Sequence, residues 1–180
     1  MSGHSKWSQI KHKKALSDAR KSKEFAKLAK QITLAARELG PNIEINSRLK
    51  SAVEKARSFN MPSENIERAI KRATSKEEGA LEEVLFEAYG PGGSAFIIEG
   101  ITDNKNRTTQ EIKHLLSEYG IKLAAPGSAK FLFTKTDEGW RPKTALEIDE
   151  VAEEQLKKLF EALDERDDIN DIYTNASLEG

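Results

Sequence analysis

The chain has no cysteine among its 180 residues. Disulfides, thiolate catalysis and cysteine-ligated zinc are therefore excluded, and the composition fits a reducing cytoplasm. No apolar stretch approaches the roughly 18 residues that a membrane-spanning helix needs. The amino terminus has lysines but no apolar core behind them, and its basic residues are mostly Lys rather than Arg, so neither a secretory signal nor a transit peptide is expected. The sequence also lacks a Ser-His-Asp arrangement, a nucleophile elbow and any carboxylate pair that stands out as a general acid and base. His4 and His12 have no carboxylate set beside them with metal-ligand spacing. No enzymatic activity, metal or other cofactor is expected. Aromatic residues make up only 7% of the chain and two of them are tryptophans, so the place of each tryptophan carries weight.

Charge is abundant but unevenly distributed. The net charge of −1 conceals 17 Lys+Arg against 7 Asp+Glu in residues 1–72, and 12 against 23 in residues 73–180. A chain divided in this way is expected to have two parts with different tasks. The basic part can meet phosphates, whereas the acidic part is repelled by them and faces solvent or protein.

The first thirty residues concentrate the positive charge. His4, Lys6, Trp7, Lys11, His12, Lys13, Lys14, Arg20, Lys21, Lys23, Lys27 and Lys30 form the candidate nucleic-acid-binding set, opposed only by Asp18 and Glu24. Lysine and arginine neutralise phosphates, largely without regard to sequence. Trp7 has two readings of equal weight: it stacks on an unpaired base, or it pins the segment by packing. A charge run can also be no more than a solvated face.

Periodicity organises the rest. Residues 1–20 have few large apolar side chains and read as a mobile basic segment, or a marginal helix that orders on binding. Residues 21–75 read as a helical bundle. Phe25, Leu28, Ile32 and Leu39 recur at helical spacing up to Gly40-Pro41. A second helix covers 47–58, capped by Asn46 or Ser47, and a third starts near Pro62. Ser75–Gly79 is a polar break. Residues 79–177 then read as strands at 81–89, 95–101, 129–134, 140–148 and 169–174, with helices at 103–119 and 149–164. Thr108 and Glu111 have capping-box spacing. Gly90-Pro-Gly-Gly93 reads as a tight turn, since it lacks the ending of a phosphate loop. His114 reads as a helix-surface residue. The acidic residues Glu82, Glu83, Glu87, Glu99 and Asp103 read as solubilising, with protein docking or a cation site as the alternative. The expected class is α+β: a three-helix domain followed by a ferredoxin-like α+β sandwich of tandem β-α-β units with one extra strand.

Several ordered motifs resemble the YebC/PmpR family. They are Gly3-His-Ser-Lys-Trp7, Ile10-Lys-His12, Lys14, Asp18, Phe25, Asn60-Met-Pro62 and Asn65-Ile-Glu-Arg-Ala-Ile70. Tyr89-Gly-Pro-Gly-Gly93, Thr102-Asp-Asn104, Asn106-Arg-Thr108, Gly127-Ser128 before Phe131, Asp168 and Tyr173-Thr-Asn175 continue the match. The resemblance implies a role in gene expression. Bacterial members are generally labelled DNA-binding transcriptional regulators, while others look like ribosome-associated translation factors or translational activators that meet ribosomal RNA or tRNA. It also implies a departure: typical members insert a third domain where this chain has only Lys135–Gly139, so a shortened member is expected. The expected partner is DNA, with ribosomal RNA or tRNA as the alternative. The expected form is a cytoplasmic monomer with no membrane partner.

Overall fold

The computed structural model describes residues 4–10, 17–75 and 79–179. In chain order the elements are β1 (His4–Lys6), α1 (Trp7–Ile10), α2 (Asp18–Leu39), α3 (Ser47–Ser58), α4 (Ser63–Arg72), β2 (Glu82–Tyr89), β3 (Ala95–Thr102), α5 (Lys105–Glu118), β4 (Phe133–Thr136), β5 (Gly139–Pro142), α6 (Glu150–Asp164) and β6 (Ile169–Leu178). They fall into two compact units. One holds 17–75, 79–82 and Ile101–Asn104; the other holds 4–10, Glu83–Gly100 and 105–179.

The first unit is a three-helix bundle. Ser17 caps α2 by accepting a hydrogen bond from the Arg20 amide at 3.4 Å. The apolar stripe Leu28, Ile32, Ala35 and Ala36 meets Leu49, Val53 and Ala56 of α3 and Ile66 and Ala69 of α4. Small alanines let these helices approach closely. Asn46 is fully buried. Its Oδ1 caps α3 at the Leu49 amide, 2.9 Å away, and its Nδ2 donates to the carbonyls of Ala35 and Gly40 at 2.9 and 2.7 Å. One side chain therefore starts α3 and satisfies the orphan carbonyls that end α2.

The second unit is built on a four-stranded sheet of order β1-β6-β3-β2. Phe96 and Ile98 of β3 face α5 and α6, joining Ile112, Leu116, Leu156, Leu159, Phe160 and Leu163 in one core. Ala95 and Ile97 face the other way, against Ala129, Phe133 and Tyr173. Both faces of β3 are covered, which explains why its sequence is continuously apolar instead of alternating. Fully burying each large side chain contributes about 1.5–3 kcal/mol. Two glycines permit close approaches in this unit. A Cβ at Gly100 would lie 2.1 Å from the Asp168 carbonyl oxygen. At Gly139, with φ +112°, it would lie 2.3 Å from the Tyr173 hydroxyl.

The α+β class, with a helical bundle and a helix-covered antiparallel sheet, agrees with the sequence reading. Strand placement differs. The segments 129–134 and 140–148 do not enter the main sheet. Phe133–Thr136 and Gly139–Pro142 pair with each other as a separate antiparallel ribbon. Only Asp137 and Glu138 lie between them, and a connection that short closes a local hairpin. The chain then makes a single parallel bridge, Leu146 to Ala176. The vacant edge of the sheet is taken by β1, from the opposite end of the chain. Thr108 is also not a cap: it lies inside α5, and its hydroxyl donates to Asp168 Oδ2 at 2.7 Å.

Candidate nucleic-acid interface

The basic run divides between the two units. Residues 4–10 belong to the α+β unit, where they form a strand and a short helix. β1 pairs antiparallel with β6, with His4 in register with Leu178 and Lys6 with Tyr173. Trp7 and Ile10, one helical turn apart, enter the main core and are only 5% and 7% exposed. The Trp7 ring meets Phe160 edge to face, with centroids 5.6 Å apart and an interplanar angle of 71°. Of the two readings of Trp7, the structure shows packing; the ring is not available to stack on a base. Apolar area decides this, because a tryptophan is among the largest side chains a core can bury.

Lys6 is likewise occupied. Its ammonium donates to the Glu138 carbonyl at 3.2 Å, lies 3.8 Å from the Asp171 carboxylate and sits 5.4 Å from the Tyr173 ring centroid. It secures the edge strand instead of presenting an open cation. Lys11, His12, Lys13 and Lys14 lie outside the described residues.

The rest of the set lies on α2. Arg20, Lys21 and Lys23 are exposed on its first two turns, and Lys30 is half-buried. Lys27 is 3% exposed, so it leaves the candidate set. Its four-carbon stem is apolar enough to be covered in this way. Exposed cations continue on the same unit at Lys50 and Arg57 of α3 and at Lys71 and Arg72 of α4. Arg57, Lys71 and Arg72 occupy last turns, where positive charge also complements the helix dipole. Arg48 pairs with Glu38, and Arg68 with Glu64 at 2.9 Å. Residues 17–75 hold 13 Lys+Arg against 7 Asp+Glu, so an excess of positive charge remains after these pairs.

Other motif residues hold the fold together. Glu87 is 4% exposed and accepts backbone hydrogen bonds from Gly127, Ala129 and Lys130 at 2.7, 3.2 and 2.6 Å. It is a clamp on the 127–130 turn, not a solubilising charge. Glu99 accepts from Trp140 Nε1 at 2.7 Å and Lys135 Nζ at 3.0 Å. Asp168 gathers Thr108 and, at 3.2 Å, Arg107. Asn175 Oδ1 accepts from the Ala95 amide at 2.8 Å, and the Thr174 hydroxyl donates to the Ala95 carbonyl at 3.0 Å. Burial, with the Asp171 and Glu99 carboxylates beside it, pushes the Tyr173 phenol well above its ordinary value. Pro91–Gly93 forms the tight turn between β2 and β3. His114 stands exposed on α5, 3.3 Å from Glu118. The sequence reading named Glu87 but not its role as a clamp; the signal for that role was a glutamate among the apolar residues of a strand.

The family model described as the TACO1/YebC protein N-terminal domain matches residues 5–76, and the model of the TACO1/YebC second and third domain matches residues 81–138. A relative from Petrotoga mobilis is 47% identical over 97% of this chain and 70% of its own length. The chain belongs to the TACO1/YebC family. The relatives from Petrotoga mobilis and Thermotoga petrophila both carry the name "Probable transcriptional regulatory protein". The Thermotoga petrophila relative is 57% identical over 75% of this chain, an alignment that covers 54% of that relative. The chain thus spans about half the length of this and similar curated relatives. A solved structure of a conserved hypothetical protein from Aquifex aeolicus superposes with a TM-score of 0.84 at 33% identity, covering 97% of each chain. The sequence-defined N-terminal domain of this TACO1/YebC protein is not one structural unit: its match begins at residue 5, yet residues 5–10 fold into the α+β unit. Among the described residues, no helix is long and apolar enough to cross a membrane.

Proposed function

We propose that this TACO1/YebC protein is a non-enzymatic, cytoplasmic regulator of gene expression that acts as a monomer and binds DNA through its helical unit. The observation that carries the reading is the exposed group Arg20, Lys21 and Lys23 at the start of α2, in a unit with surplus positive charge. Cations of this kind give affinity and orientation, while sequence choice needs contacts to base edges or DNA shape. The regulatory name of the relatives supports the transcriptional reading. The ribosomal alternative drew its physical support from a mobile tail with one stacking aromatic, and that support falls with the burial of Trp7.

The greater length of the relatives we read as a third domain inserted at the β4–β5 turn. The second-and-third-domain match stops at residue 138, yet residues 139–179 complete the α+β unit. Crosslinking in cells followed by sequencing of the bound nucleic acid tests the function. Enrichment of promoter DNA is expected. Recovery confined to ribosomal RNA and tRNA would overturn it.

A further inference from the structure

The α+β unit is acidic as a whole: residues 4–10, 83–100 and 105–179 hold 12 Lys+Arg against 19 Asp+Glu. Residues 130–143 reverse the sign, with four cations against two carboxylates. These residues form the β4–β5 ribbon and the turn before it, on the sheet face opposite α5 and α6. Phe131 stands there 61% exposed. Its exposure is not the looseness of a surface loop. The turn that carries it is held by the Glu87 carboxylate through three backbone amides, and by the Tyr89 hydroxyl, which donates to the Ser128 carbonyl at 2.6 Å. On the other side the Lys143 amide donates to the Leu132 carbonyl at 2.8 Å.

The neighbouring aromatic is fixed as well. Trp140 is tied through Nε1 to Glu99, and the ammoniums of Lys130 and Lys135 lie 5.2 and 4.9 Å from its ring centroid. Phe131 therefore stands exposed on a backbone held from both sides, with Lys130 before it in the chain and the Lys143 backbone bonded to its neighbour Leu132. An aromatic ring on a fixed backbone costs less ordering when a base stacks on it than one on a loose loop, and lysines close by in the fold can reach the flanking phosphates. Duplex bases, already stacked on each other, offer such a ring nothing.

We propose that Phe131, with Lys130 and Lys143, forms a second nucleic-acid contact that takes an unpaired strand, separate from the cations of α2. It rests on the reading that this protein binds nucleic acid, and it adds a partner class: single-stranded segments. The ribose 2′-hydroxyl is not part of the argument, so RNA and DNA strands share the chemistry.

The test is fluorescence anisotropy of the full chain with labelled 12-nucleotide oligo(U), oligo(dT) and a 12-base-pair duplex. Phe131→Ala should weaken both single strands at least about fivefold, since stacking of one base is worth about 1–3 kcal/mol. Duplex affinity and melting temperature should stay as in the parent. Phe131→Tyr should restore strand binding, and Lys130→Glu with Lys143→Glu should weaken it and make its salt dependence shallower than the parent's. If only one of oligo(U) and oligo(dT) responds, that strand is the ligand. If Phe131→Ala leaves both unchanged while the duplex still binds, this inference falls and the proposed function stands. If the parent binds none of the three, both fall.

Discussion

Residues 4–10 and 17–30 are two stretches of one basic run with opposite fates. The first gives β1 to the sheet edge and places Trp7 against Phe160 in the core of the α+β unit. The second starts the helical bundle and keeps Arg20, Lys21 and Lys23 in solvent. The difference comes from the apolar residues between the charges. Trp7 and Ile10 have a hydrophobic cluster to enter, and Lys6 then follows its strand into contact with Asp171 and Tyr173. The first turn of α2 itself, Asp18 to Lys21, holds no large apolar side chain, and Arg20 and Lys21 are exposed there. Positive charge in a sequence is thus evidence about composition; which cations face a partner is decided by the apolar residues interspersed with them.

The comparison can be broken most directly at Trp7. Trp7→Ala should destabilise the α+β unit by about 3–5 kcal/mol, the usual result of truncating a buried large aromatic. Urea unfolding followed by circular dichroism measures this. Nucleic-acid affinity at a temperature where the variant is folded should remain close to that of the parent. A variant as stable as the parent but unable to bind would assign Trp7 to the interface after all.

Glu87 sharpens the contrast, because it is a charge in the acidic unit that serves the fold alone. Glu87→Ala removes the acceptor from one buried and two partly buried amides, and each orphan donor costs about 1–3 kcal/mol unless water reaches it. A loss on the order of 3 kcal/mol is expected, with faster amide hydrogen exchange at Gly127, Ala129 and Lys130. Unchanged exchange at those amides would remove the clamp from the account.

Tyr173 gives a smaller, pH-dependent effect. Its phenol is held neutral in the folded state by burial and by the Asp171 and Glu99 carboxylates, above its unfolded value of about 10. The folded state therefore keeps a proton that the unfolded state releases at alkaline pH. The contribution is fully present below about pH 10 and is lost as pH rises from there towards the raised folded value. Stability of the parent should fall more steeply above pH 10 than that of Tyr173→Phe, in chemical unfolding at pH 9 to 11. Parallel slopes would contradict the assignment.

Much of the fold was legible in the sequence. The helix at 47–58 and its Asn46 cap follow from spacing and capping chemistry, and the Asp149 cap of α6 is present with an Oδ1 contact of 2.7 Å to the Ala152 amide. The strand read at 95–101 is present, and the structure covers both its faces. What was illegible was non-local. β1 is three residues long, and its partner lies at the other end of the chain, so no local pattern announces it. The β4–β5 ribbon had the right strand chemistry but the wrong sheet, because period-two patterning does not name a partner. In the candidate site, Arg20, Lys21 and Lys23 were legible as exposed cations. The burial of Lys27 was not, since a lysine stem covered by neighbours has the same one-letter code as one in solvent.

The central claim is that the start of α2 carries the electrostatic contact with nucleic acid. Replacing Arg20, Lys21 and Lys23 together with Glu should leave the unfolding free energy within about 0.5 kcal/mol per site of the parent, as at other exposed positions. The measurement is the dissociation constant for a DNA duplex across a salt series in the parent and this variant. Weaker binding is predicted at low salt, with a log–log salt slope reduced by about 0.9 for each of the three contacts that meets a phosphate. The same affinity and slope in both proteins would contradict the claim.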